Sequence, residues 1–216
     1  MNYAINLNRI TMADYKEHLL SIELLPSRRV LLDSIDQRFS AITASGLNDI
    51  GAFLQAVSTP KKLSDLSQKT FVGEDYLKIL KREIGSLVPK NVALAEFDML
   101  TPNTVETLKS AGLRTSKDYY EAYPDIDGSE IRNNDSERLY RLCDLVRING
   151  IGALAAKMFL EAGYASVADI ASGNPEEMVK KVNTLNADKH DYDGQPLGLK
   201  DMTFCIVHAK MLMKYS

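Results

Sequence analysis

A chain of 216 residues and 24.0 kDa, 45% hydrophobic and 25% charged, has the composition of an ordinary globular protein and the length for one large or two modest domains. A formal net charge of −3 and a pI of about 5.7 exclude a surface that grips nucleic acid over its whole extent. The N-terminus lacks the apolar core of a signal peptide and no run is long enough to span a bilayer, so a cytoplasmic protein without membrane contact is expected.

In chain order, Thr11 with Asp14 three residues later reads as the capped start of a helix that stops near Leu25, because Pro26 cannot continue it. Ser27-Arg28-Arg29 opens a second helix with Val30, Leu31, Ile35, Phe39 and Ile42 as apolar positions, ended by Gly46. Thr59-Pro60 and Gly73-Glu74-Asp75-Tyr76 start two more, the second carrying Leu77, Leu80 and Ile84. At the end of the first of these, Phe71 occupies a site where Gly or Asn is expected, which predicts either strain or a different boundary. Leu-Val-Pro-Lys-Asn-Val, ending at Val92, reads as a linker between an N-terminal domain at 1–92 and a C-terminal domain at 93–216. A further helix starts at Asn134-Asp135-Ser136-Glu137 and carries Leu139, Leu142, Cys143 and Val146. Cys143 and Cys205 each fall on an apolar position of a helical pattern, which predicts buried free thiols rather than a disulfide or zinc site.

One ending recurs. Gly46, Gly112 and Gly163 each come after an apolar helix and precede another amphipathic one. Aligning them superposes Phe39 with Val105 and Ala156, Ile42 with Leu108 and Phe159, and Phe53 with Tyr119 and Ile170. The pattern predicts three blocks, each a helix, a positive-φ glycine just past it and a second short helix. With no long strand-like alternation anywhere, the fold class is all-α.

The stretch from Leu145 to Gly163 interrupts its apolar pattern at Asn149-Gly150-Ile151-Gly152, as two helices joined by a glycine turn would. This turn has two readings. It is a compact connector with Ile151 plugged into the core, or Gly150, Ile151, Gly152 and Ala153 present backbone N–H groups to a phosphate. Arg147 and Lys157 would then supply charge, although Arg147 also lies three residues from Asp144, the spacing of an ion pair that fixes a helix end.

With those residues in view, the sequence resembles a bacterial family named only as a domain of unknown function, number 4332, itself similar to helix-hairpin-helix and SAM-like domains. The likeness runs through Ile10-Thr-Met-Ala-Asp-Tyr-Lys-Glu, Leu24-Leu-Pro-Ser-Arg-Arg29, Ile35-Asp-Gln-Arg-Phe39, Tyr76 to Ile84, Asp144 to Gly152 and Leu199 to Lys210. It implies repeated helix-hairpin-helix blocks and sequence-independent binding of a DNA backbone. In many DNA-binding hairpins Lys or Arg stands where this chain has Leu154, and the first two blocks lack the glycine pair.

Other constellations carry less. Tyr123-Pro-Asp125-Ile-Asp127-Gly128 and His190-Asp191-Tyr-Asp193-Gly194 lack the acids that a calcium loop needs at its first and twelfth positions, and read as turns. His18, His190 and His208 have no ligand spacing, and no nucleophile, P-loop or cofactor fingerprint is present. Tyr119, Tyr120 and Tyr123 form an aromatic group suited to a core or to a protein interface. The expectation is therefore a non-enzymatic protein without cofactor or metal that makes weak, non-specific contact with duplex DNA through the 147–157 hairpin. The alternative is a scaffold for a protein partner with no nucleic-acid role.

Overall fold

Six helices start at the side-chain caps Thr11, Asp49, Thr59, Thr101, Thr115 and Ser166, and three end just before a positive-φ glycine. The computed structural model describes residues 2–125, 134–189 and 196–216, and the chain is all-α. Among the described residues there is no strand, and two isolated antiparallel bridges join Thr11 to Asp49 and Ala93 to Thr115. No helix among them is long and apolar enough to cross a membrane.

The chain divides into an N-terminal unit, Asn6–Val88 with Tyr215, and a C-terminal unit, Pro89–Lys214 with Met1–Ile5 and Ser216. The expected boundary at 92/93 is thus corrected at both ends. Val92 belongs to the C-terminal unit, because its N–H donates to Ser116 Oγ (3.0 Å) and its carbonyl accepts from Ser116 N (2.7 Å). The first residues belong there too, because the carbonyls of Asn2 and Tyr3 are acceptors for Arg147.

In the N-terminal unit Thr11 caps α1 (Met12–Ser21) through Asp14 N, as its sequence predicts. The single helix expected from Ser27 is instead a 3-10 segment, Pro26–Leu32, succeeded by α2 (Ile35–Ala44). The reason is phase. Arg28 and Leu31 are buried three residues apart, the period of a 3-10 turn, whereas Ile35, Phe39 and Ile42 keep α-helical spacing, and Ser34 at φ 49 resets the chain between them. Arg28 is turned inward by Glu83, with Nη1 2.6 Å from Oε2. The unit is completed by α3 (Ile50–Ala56), α4 (Pro60–Thr70) and α5 (Glu74–Gly85).

The C-terminal unit holds α6 (Pro102–Ser110), α7 (Ser116–Ala122), α8 (Asn134–Leu145), α9 (Ala153–Glu161), α10 (Val167–Ala171), α11 (Pro175–Lys189) and α12 (Leu199–Tyr215). Of the two Asp-rich loops, Tyr123–Asp125 form a 3-10 turn, whereas residues 126–128 and 190–194 lie outside the described residues. Cys143 and Cys205 are buried free thiols, and burial pushes the Cys205 pKa up to about 12.

Gly46, Gly112 and Gly163 each lie two residues past a helix, at φ +98, +86 and +92. At Gly112 and Gly163 the paired bonds of a Schellman turn close the helix: Gly112 N to Lys109 O with Leu113 N to Leu108 O, and Gly163 N to Leu160 O with Tyr164 N to Phe159 O. Three residues after each glycine comes the cap of the next helix, Asp49, Thr115 or Ser166. Of the positions aligned by sequence all are buried except Val105, which is half-buried.

An added Cβ would meet nothing within 4 Å at either Gly163 or Gly152, and only Gly163 has a positive φ. Gly163→Ala is therefore expected to destabilise by about 1 kcal/mol through backbone strain alone. Gly152→Ala, at the N-cap of α9, should cost only the smaller amount by which Ala is a poorer cap than Gly. Urea midpoints of the two variants test this, and equal midpoints would refute the assignment of the glycine to its backbone conformation.

Candidate functional site at the glycine turn

Past Leu145 the chain tightens, with Arg147 N bonded to Asp144 O and Ile148 N to Leu145 O, and Ile151 N then bonds to Ile148 O. Gly150 takes φ +88, a conformation that favours glycine, and Gly152 is the N-cap of α9, which has no side-chain cap. Gly150 and Gly152 are exposed, Ala153 is half-buried, and Ile151 is plugged into the core.

The two expected cations are placed differently from what a phosphate site requires. Arg147 is 2% exposed. Its Nε donates to Tyr3 O (2.8 Å), Nη2 to Asn2 O (3.2 Å), and Nη1 to Tyr120 Oη (2.8 Å) and Asp144 Oδ1 (2.5 Å), with its carbon 4.7 Å from the centre of the Tyr120 ring. This corrects its expected place beside a bound phosphate: the guanidinium is engaged inside the unit. Lys157 Nζ lies 2.8 Å from Asp98 Oδ2, so its charge is paired, and Leu154 is 41% exposed.

Asp144 does more than hold Arg147. Its Oδ2 accepts from Val167 N at 2.7 Å, the first amide of α10. The corresponding first amide of α3, Ile50 N, is bonded to Ile10 O (3.0 Å), and that of α7, Ser116 N, to Val92 O (2.7 Å). In the third block a carboxylate replaces the backbone carbonyl used by the first two. Tyr3, Asn2, Asp98 and Val167 were absent from the sequence-derived site, and at a separation of 144 residues no spacing signal could link Tyr3 to Arg147.

The tyrosines form a stacked array: Tyr140 lies 5.1 Å from Tyr120 and 4.2 Å from Tyr123, and Tyr3 meets Tyr120 edge-on at 5.6 Å. Tyr119 and Tyr120 are core residues rather than exposed ones. A cavity of about 390 Å³ opens beside Tyr123 and Tyr140, with Glu137, Asp144 and Asp169 on its walls. Each carboxylate already has a partner: Glu137 takes Arg141, Asp144 takes Arg147 and Val167 N, and Asp169 takes Ala165 N and Ser166 Oγ.

Residues 98–212 match the model of a family described as Domain of unknown function (DUF4332). The chain belongs to this family. No curated protein and no solved structure matches it. The span matched to DUF4332 holds Asp144, Arg147, the glycine turn and α10, whereas the Asn2 and Tyr3 carbonyls that complete the Arg147 site lie outside it.

Removing one partner of a buried charge pair leaves the other uncompensated. Asp144→Ala strands both Arg147 and the Val167 amide, so a loss of about 3–5 kcal/mol is expected. Double-mutant coupling between positions 144 and 147 should exceed the roughly 0.3–0.5 kcal/mol of an exposed helical pair. Coupling no larger than that would mean that the pair is solvated.

Burial raises the hydroxyl pKa of Tyr3 and Tyr76 from 10.0 to about 12, despite the Ser116 bond to Tyr3 and the Arg38 guanidinium beside Tyr76, which both act in the opposite sense. A raised folded-state pKa favours the protonated phenol in the folded chain, so this stability is complete below pH 10 and is lost as pH rises through about 12. Tyrosinate absorbance should therefore rise cooperatively with loss of helix between pH 10 and 12. Simple titration near pH 10 with the helix signal intact would contradict that.

Proposed function

We propose that this chain is a non-enzymatic, cytoplasmic interaction module of helix-hairpin-helix type, and that the apex of its 147–157 hairpin docks a protein partner. The observation that carries this reading is the distribution of charge at the apex. Arg147 faces inward, Lys157 is paired with Asp98, and the exposed positions are Gly150, Gly152 and Leu154. A neutral surface with an apolar side chain suits a protein contact, whereas non-specific affinity for nucleic acid comes almost entirely from cations that displace counterions.

The second reading is weak, sequence-independent contact with a duplex DNA backbone. It is supported by the uncapped start of α9 behind two exposed glycines, which leaves backbone N–H groups for a phosphate.

Affinity capture of the full chain from its native cell, with and without nuclease, separates the two. The protein-partner reading expects a captured protein that survives nuclease and is lost with Leu154→Asp. Anisotropy of labelled duplexes of unrelated sequence should then show no binding at the lowest salt. Duplex binding that falls with salt at a slope near −1 to −2 in log K against log salt, and is abolished by Gly150→Val, would put the nucleic-acid reading in its place.

A further inference from the structure

One face of α8 and the start of α10 border the cavity of about 390 Å³ beside the tyrosine stack. Glu137, Tyr140, Arg141 and Asp144 line it from α8 at positions i, i+3, i+4 and i+7, the spacing of a single helix face, and Asp169 lines it from α10. The volume falls within the roughly 300–1,000 Å³ of small-ligand sites.

Charge on this wall does not balance. Glu137 is paired with Arg141, and Asp144 with the buried Arg147. Asp169 takes part in none of the ion pairs among the described residues. Its bonds from Ala165 N and Ser166 Oγ both end on Oδ2, and both Arg141 bonds to Glu137 end on Oε1. Among the described residues, the second oxygen of each carboxylate, Asp169 Oδ1 and Glu137 Oε2, accepts no hydrogen bond.

The same unit displays what such a wall holds. The Arg147 guanidinium lies 4.7 Å from the centre of the Tyr120 ring and donates to the Asp144 carboxylate. Tyr120, Tyr140 and Tyr123 form one stacked run, with ring centres 5.1 and 4.2 Å apart. Arg147 attends the Tyr120 end of this run and the cavity the Tyr123 end. Rings beside carboxylates favour a planar guanidinium, which stacks and donates from several edges at once, over the point charge of an ammonium.

We propose that this cavity binds a guanidinium group on an aliphatic stem, with Asp169 Oδ1 and Glu137 Oε2 as its acceptors and Tyr123 and Tyr140 as the flanking rings. The group arrives as an arginine side chain of a protein or as a free guanidino compound, two sources of the same chemistry. The site is separate from the apex of the hairpin, and its test needs no captured partner.

NMR titration of the full chain, labelled at its tyrosine rings, tests this. The probes are agmatine, Nα-acetyl-arginine methylamide and, as a neutral isostere, Nα-acetyl-citrulline methylamide. Both guanidinium compounds should shift the Tyr123 and Tyr140 resonances saturably, with a Kd on the order of 1 mM at low salt. The citrulline compound should bind about tenfold more weakly, because it lacks the charge that strengthens the bonds. Asp169→Asn, which keeps an oxygen for the cap bonds, and Glu137→Gln, on an exposed position of α8, should each weaken binding by about threefold to tenfold. Tighter binding of the blocked arginine than of agmatine assigns the cavity to a protein side chain, and the reverse order assigns it to a free compound. The proposal is overturned by a lack of saturable shifts with both guanidinium compounds, by equal binding of the citrulline compound, or by an unchanged Kd in both carboxylate variants.

Discussion

The C-terminal unit depends on one buried cation. Placing a guanidinium in the interior costs several kcal/mol before its bonds are counted, and the cost is tolerable only if its donors find well-placed acceptors. Arg147 finds four: the carbonyls of Asn2 and Tyr3, the hydroxyl of Tyr120 and the carboxylate of Asp144. These come from the start of the chain, from α7 and from the end of α8, so a single side chain ties together three segments that are remote in sequence. The Tyr3 hydroxyl extends the network to Ser116 at 2.7 Å, and Ser116 in turn holds Val92. This is why the first residues of the chain belong to the unit formed by its second half.

The same network explains how the third block departs from the other two. All three begin their second helix with an amide that must be satisfied. The first two use a carbonyl from the chain segment that lies alongside, while the third uses the Asp144 carboxylate. A carboxylate has a second oxygen, and here that oxygen binds Arg147. The glycine turn is thereby coupled to α10 on one side and to the N-terminal residues on the other, which a backbone carbonyl alone could not do. Local pattern and long-range pairing meet at this one residue.

Charge is neutralised at the glycine turn, and an apolar group is left uncovered at Phe71. Around the turn the cations are paired or turned inward, which leaves a small neutral apex. At Phe71 an apolar ring is held out in solvent on a backbone that opposes it. Folding stability accounts for the first arrangement. The turn at Phe71 is held from within as well, because it directs Val72 into the core, with the Val72 carbonyl accepting from Ser67 Oγ (2.7 Å) and its N–H donating to Thr70 Oγ1 (3.3 Å).

Local features were legible in the sequence because they are set by near neighbours. The caps at Thr11 and Thr59, the positive φ of Gly46, Gly112 and Gly163, the buried thiols and most of the aligned core positions depend on side chains a few residues apart. The Asp144–Arg147 pair was legible for the same reason. What a three-residue spacing cannot encode is which way the pair faces, and that decides whether Arg147 meets a ligand or the core. The direction is set by acceptors at Asn2, Tyr3 and Tyr120, brought there only by the tertiary fold, just as Asp98 is brought to Lys157. The break at Ser34 was hidden likewise, because burying Arg28 against Glu83 demands a 3-10 phase that the apolar pattern does not announce. Sequence by itself determined where helices start, stop and turn, since backbone preference is a property of adjacent residues. Tertiary structure alone decided which charges are paired within the fold and which remain on its surface, since that depends on partners far along the chain.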